Sequence, residues 1–218
     1  MASDVKHPNN LFLFFVDCSG NASWGRPSGP YLIRGPEEGS ARRVYCDTGS
    51  WTVVQRREKG GTLHFDRDWA QYKRGFGDVD GNFWIGNDLL HHITAEGEEY
   101  ALRMDLWDAQ GTYKFAEYST FRVLGEHDHY RLVLAGYRGN ASDAMGYHNG
   151  MAFSTPDRDN DASEATHCAD FYQSGWWYNH CQYVNVNGRT GITWYDMEGQ
   201  EWSELSKVEM KIKPKALL

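Results

Sequence analysis

An α+β domain dominated by twisted antiparallel sheet is the fold class this sequence predicts, and three observations carry the prediction. Apolar residues alternate with polar ones in several separate stretches, the period of half-buried strands: Tyr100, Leu102, Met104 and Leu106 in one, Val208, Met210 and Ile212 in another. Helical signals are confined to two short segments between such stretches. Finally, 23 glycines and nine tryptophans in 218 residues point to a loop-rich fold with an aromatic core. At 40% hydrophobic and 15% aromatic, the chain has enough apolar surface for a sizeable core.

Taken in order, residues 11–16 are apolar but have no basic leader, no small-residue cleavage site and too little length to span a bilayer. They read as a lead-in, residues 1–16, that enters a strand or covers a sheet edge. The chain then reads as a mature or trimmed fragment lacking a secretory leader and an oligomerising arm. Turn residues follow from Trp24 to Gly29, then short strands at Tyr31, Leu32 and Ile33 and at Val44, Tyr45 and Cys46. Asp66 is placed to cap a helix over 67–74 that stops at Gly75, and Asn87 to cap a second, through Leu89, Leu90 and Ile93, that stops before Gly97. After the strand at Tyr100, residues 108–111 form a hairpin turn. Tyr113, Phe115, Phe121 and Val123, then Tyr130, Leu132 and Leu134, continue the sheet, and Val208 to Ile212 adds its last strand.

Residues 153–183, FSTPDRDNDASEATHCADFYQSGWWYNHCQY, break this pattern. They have no apolar periodicity, so something other than burial must fix them. Asp157, Asp159 and Asp161 alternate with Arg158 and Asn160, an all-oxygen donor set that suits calcium. An EF-hand would place glycine and glutamate where Ala162 and Cys168 stand, so the loop is of another kind. Four cysteines without a C-x-x-C pair fit two disulfides, in any of three connectivities, better than a zinc site. Disulfides imply an oxidising, extracellular compartment, with which N-x-S sequons at Asn21 and Asn140 agree.

The net charge of −8, without a basic cluster, excludes nucleic acid as a partner. Catalysis finds no footing either. His127 and His129 read as a polar turn, His91 and His92 diverge on a helix, and G-x-S-x-G, H-E-x-x-H and phosphate-loop motifs are absent.

The run WTVVQRR, WAQYKRGFG, GNFWIGNDLLHHIT, YALRMDLWD, then FSTPDRDND, CADFY, GWWYNHC, NVNG and KVEMKIKP resembles, in order and spacing, the fibrinogen-like domains of ficolins, tachylectins, tenascins and angiopoietins. The resemblance covers residues 17–214 as one domain, in parts of about 17–50, 51–150 and 151–214. It implies Cys18–Cys46 and Cys168–Cys181 disulfides. It also implies a calcium ion held by the carboxylates of Asp159 and Asp161 and by the carbonyls of Ser163 and Ala165, or Thr166 when counted back from Cys168. In the lectins of the family an acetyl pocket lies beside the metal. Here the matching positions are Tyr172, a cis His180–Cys181 peptide, Gln182 in place of histidine, and Trp202. About ten residues usual in the family between Gly188 and Gly191 are missing, so that one pocket wall is absent or rebuilt, with Trp202, in the place of a common tyrosine, positioned to compensate.

The function so implied is a secreted, calcium-dependent lectin of innate immunity that binds acetylated sugars on microbial surfaces. The alternative is an interaction module that binds a receptor or matrix protein. A homo-oligomer fits either reading; a membrane span fits neither.

Overall fold

The computed structural model describes residues 15–20, 25–95 and 97–218. Most of the lead-in and the Asn21 sequon lie outside the described residues. Eleven strands form one antiparallel sheet: β1 (Gly29–Arg34), β2 (Ala41–Asp47), β3 (Trp51–Glu58), β4 (Phe76–Gly77), β5 (Phe83–Trp84), β6 (Tyr100–Asp108), β7 (Tyr113–Val123), β8 (Leu132–Gly139), β9 (Val184–Asn185), β10 (Ile192–Asp196) and β11 (Glu201–Pro214). The main path runs β1-β2-β3-β11-β6-β7-β8, so the last strand of the chain is central, between β3 and β6. Among the described residues the α-helices include α1 (Trp69–Arg74), α2 (Asn87–Ala95) and α3 (Cys168–Tyr172). On the open side of β1, the Arg34 N–H donates to the Phe15 carbonyl at 2.8 Å, so the end of the lead-in touches that edge.

The alternation along β6 and β11 places Leu102, Met104, Leu106, Val208, Met210 and Ile212 in the core, with Met104 opposite Met210 and Leu102 opposite Ile212. The other face differs from a solvated one. Lys211 is 8% exposed and lies 2.6 Å from Asp105 and 2.9 Å from Asp47. Burial opposes its charge, but the two carboxylates outweigh burial and hold its pKa above the ordinary lysine value. Glu117, also buried, pairs with Arg103 and Arg138. Charges this dry persist only when paired.

Both helix starts correct the sequence reading. The N-cap of α1 is Asp68, whose carboxylate accepts from the Gln71 N–H at 2.8 Å while the Gln71 side chain accepts from the Asp68 N–H at 3.1 Å. Asp66 stands two residues too early. Asn87 lies within α2, where its side chain accepts instead from the Trp84 indole at 3.0 Å. Tyr130 precedes β8 in a left-handed conformation, φ 49°, rather than opening the strand.

The core is aromatic where α1, β5 and the C-terminal part meet. Trp84, Phe153 and Trp177 are each less than 2% exposed and pack with ring centroids 5.3–6.0 Å apart. The Trp177 indole donates to the Tyr130 carbonyl at 2.8 Å.

Candidate functional site

The acidic loop begins where β-structure ends and is shaped by its own side chains. Asp157 is committed to the fold. Its Oδ1 accepts from the Trp69 N–H at 2.8 Å and from the Thr155 hydroxyl at 2.7 Å, which docks α1 on the loop. Arg158 lies over the Trp69 ring, 4.1 Å from its centroid. Asn160 donates through Nδ2 to the Phe153 carbonyl at 2.8 Å.

Asp159 and Asp161 are left facing each other's charge. Asp159 is exposed and accepts from the Asp161 N–H at 3.2 Å. Asp161 is half-buried and accepts from the Ser163 N–H and the Cys168 N–H, each at 2.8 Å. Burial raises its pKa above the ordinary carboxylate value, and the Asp159 charge adds to that. The Ser163 hydroxyl is buried without a partner among the described residues. Oxygen donors, two adjacent carboxylates and an unsatisfied hydroxyl together fit a hard cation. Among the described residues no three acidic, histidine or cysteine side chains converge, so such an ion would take the rest of its shell from main-chain carbonyls and water. Ala165 is exposed and Thr166 half-buried in the turn that follows.

Cys168 and Cys181 are bonded, closing a span of 13 residues, and Cys18 is bonded to Cys46. The His180–Cys181 peptide is cis. His180 is exposed, and its carbonyl accepts from the Tyr147 hydroxyl at 2.9 Å. Trp176 and Trp177 are fully buried packing residues.

The five positions expected to line one pocket are divided. Tyr172 stacks on Tyr178 at 5.9 Å and meets Phe171 edge-on; Tyr183, Tyr195 and Trp202 are not among its ring neighbours. Its carbonyl accepts from the Arg189 N–H at 3.1 Å, and the Gly191 N–H donates to the Gly188 carbonyl at 3.2 Å. Arg57 clamps this short turn from beneath, with Nη1 donating to the carbonyls of Val186, Gly188 and Gly191 at 3.0, 2.8 and 3.3 Å. The turn from Gly188 to Gly191 is thus short and pinned. Gln182 is half-buried, and its side-chain oxygen has no partner.

Trp202, by contrast, joins a row of rings. It packs on Tyr195 at 5.2 Å, Tyr195 stacks on Tyr183 at 4.8 Å, and Tyr183 stacks on Tyr147 at 4.1 Å. Trp202 is 50% exposed and nearby Met197 47%, while the three tyrosines are half-buried. Tyr195 and Trp202 are direct cross-strand partners on β10 and β11. Residues 196–201, which close that hairpin, carry Asp196, Glu198 and Glu201 and no basic residue.

Beneath the row sits His148, which no motif in the sequence marks. It is fully buried, with Nδ1 2.7 Å from the Trp177 carbonyl and Nε2 3.2 and 3.0 Å from the Tyr183 and Val184 N–H groups. A carbonyl only accepts, so Nδ1 carries the proton and Nε2 accepts twice. Burial lowers its pKa to about 4, against a partial rise from the Trp177 carbonyl, and keeps the ring neutral.

Comparison with known proteins agrees with this geometry. Residues 14–215 match the family described as fibrinogen beta and gamma chains, C-terminal globular domain. Fibrinogen-like protein A of Apostichopus parvimensis is 37% identical over 97% of this chain and 77% of its own length. Protein scabrous of Drosophila melanogaster is 42% identical over 85% of this chain, and angiopoietin-related protein 7 of Homo sapiens 43% identical over 78%. This chain spans only 23% of the former and 53% of the latter. Among solved structures, the fibrinogen-like globe domain of human ANGPTL2 superposes with a TM-score of 0.85 at 36% identity, covering 92% of this chain and 99% of that one. A lamprey fibrin D-dimer complexed with the peptide Gly-His-Arg-Pro-amide gives 0.82 at 33% identity, covering 91% and 73%. The chain belongs to the fibrinogen C-terminal domain family.

Proposed function

We propose that this domain is a secreted, non-catalytic recognition module that binds a protein partner, with the aromatic row from Tyr147 to Trp202 as its contact surface. The row is the observation that carries the reading. Partly exposed tyrosine and tryptophan supply large contact area at low entropic cost and dominate binding energy at protein interfaces. Asp196, Glu198 and Glu201 at its rim suit a partner that presents arginine or lysine, and among the described residues no ion pair engages them. The similarity to angiopoietin-related protein 7 and to the ANGPTL2 globe domain lies on the interaction-module side of the family. The acetyl-sugar reading has less support, since Tyr172 packs away from Trp202 and the short turn after Gly188 is pinned by Arg57. A lamprey fibrin D-dimer, one of the structural relatives, is complexed with a peptide ligand, Gly-His-Arg-Pro-amide, which carries an arginine.

Two disulfides support an extracellular setting. No described helix is long and apolar enough to cross a membrane. Calcium, held by Asp159 and Asp161, would stiffen the loop that supports Cys168 and the disulfide.

The test is a panel of receptor ectodomains and matrix proteins run beside a glycan array. A protein ligand whose affinity falls by about thirtyfold on Trp202→Ala, the ~2 kcal/mol of an interface hot spot, is expected. Binding to acetylated hexosamines with no protein ligand would overturn the proposal in favour of the lectin.

A further inference from the structure

Outside the recognition surface, Asn140 and Ser142 of the sequon Asn140-Ala141-Ser142 have opposite environments. Asn140 lies just past the end of β8, the outermost strand of the sheet, and is exposed. Its Oδ1 accepts from the Phe115 N–H at 2.6 Å. Because an N–H only donates, the amide oxygen must be the atom facing Phe115, which turns Nδ2 away. Among the described residues Nδ2 has no partner, and it is the atom that N-glycosylation modifies.

Ser142 is held instead. Its hydroxyl donates to the Tyr195 carbonyl at 2.6 Å, 53 residues further along the chain, and accepts from the Trp194 indole at 3.3 Å. It also helps to line a cavity of about 80 Å³ with Leu106, Trp194 and Leu205. The sequon hydroxyl is part of what makes the triplet an acceptor, so a transferase must reach it. Once β10 is in place, it cannot.

We propose that Asn140 carries an N-linked glycan and that it is attached before the β10–β11 hairpin docks on Ser142. In the transfer the Asn140 amide nitrogen attacks the anomeric carbon of a polyprenyl-diphosphate-linked oligosaccharide. The nitrogen–carbon bond forms as the carbon–oxygen bond to the diphosphate breaks; the diphosphate leaves with the electron pair and the nitrogen loses one proton. The folded domain accommodates the product without rearrangement, because the bond from Oδ1 to Phe115 survives while Nδ2 faces solvent. The glycan then stands at the end of β8, beyond the part of its outer edge that residues 149–151 cover through bonds to Leu132 and Leu134, and beside Tyr137, which is 37% exposed.

The experiment has two arms. The full chain is secreted from animal cells and treated with peptide N-glycosidase in heavy-oxygen water, which converts a glycosylated asparagine to labelled aspartate. Label at Asn140 is expected, retained in Ser142→Thr and lost in Ser142→Ala; an unlabelled Asn140 in the secreted chain, or label persisting in Ser142→Ala, overturns the assignment. In the second arm, unglycosylated chain is offered to microsomal membranes with the lipid-linked donor, either folded with its disulfides or reduced and unfolded. Read at Asn140, apart from the Asn21 sequon, the unfolded chain should accept the oligosaccharide and the folded chain should not. Equal labelling of the two overturns the order of events.

Discussion

In the central sheet, large apolar core residues recur at every second position, from Tyr100 to Leu106 in β6 and from Val208 to Ile212 in β11, and both strands pair with neighbours. Residues 151–191 have only α3 and the two-residue β9 as regular structure. They are ordered by single bonds to particular atoms: Asp157 to the Trp69 N–H, Asp161 to the Cys168 N–H, Asn187 to the Gly175 carbonyl, His148 to two N–H groups. The difference teaches where fragility lies. A repeated pattern spreads stability over many residues, whereas a set of unique contacts concentrates it in a few.

The sharpest way to break that contrast is at Trp177, which touches both regions through Trp84, Phe121, Phe153 and the Tyr130 carbonyl. Trp177→Ala should lower unfolding free energy by roughly 3–5 kcal/mol in denaturant titration, with one transition rather than two. Two transitions would mean that the regions unfold independently.

His148 sharpens the contrast through pH. Its folded pKa of about 4 lies below the unfolded value, so the unfolded chain takes up the proton first. The stability it contributes is present in full above the ordinary histidine pKa of about 6.5 and is lost as pH falls towards 4, about 3 kcal/mol in all. Melting followed over that range should show this slope, and His148→Gln should flatten it.

Removing the Cys168–Cys181 bridge by paired serine substitution should cost ~3 kcal/mol. In hydrogen exchange the loss should appear as faster opening of residues 154–191, with β6, β7 and β11 still protected. Uniform loss of protection would contradict the division drawn above. The proposed calcium ion is expected to give the smallest of these effects. At a hundred times its dissociation constant it should add ~2.7 kcal/mol by mass action, and Asp161→Asn should abolish the rise in melting temperature. An unchanged rise in that variant would place the ion elsewhere.

Much of the sheet was legible in the sequence because alternation states which side of a strand is buried. It does not state which strands are neighbours, so β11 could be assigned as a strand but not as the central one, nor Lys211 as the partner of Asp47 and Asp105. The helix starts at Asp66 and Asn87 were misread for a local reason. Asp68 and Asp66 offer the same side chain two residues apart, and the Asn87 amide was already taken by Trp84. At the candidate site, the acidic loop was visible as a motif, and both cysteine pairs followed from the family resemblance, the residues alone allowing three connectivities. The aromatic row was not, since Tyr147, Tyr183 and Tyr195 are scattered along the chain and meet only through the register of β10 with β9 and β11 and the His148 bonds.

The position of β11 also bears on how the domain is made. β3 and β6 do not pair with each other; each pairs with β11, and Arg56 reaches Glu209 across 153 residues of chain at 2.9 Å. During synthesis, N-terminal regions emerge first and ordinarily begin to fold at once. Before β11 emerges, the growing chain can form only two half-sheets, β1–β3 and β6–β8, each with an edge of unpaired N–H and C=O groups that the 14-residue β11 later pairs. Closure is therefore a late, long-range event that waits until β11 has emerged. A chain that stops before Glu201 leaves the ribosome as two unjoined sheets rather than as a shortened domain.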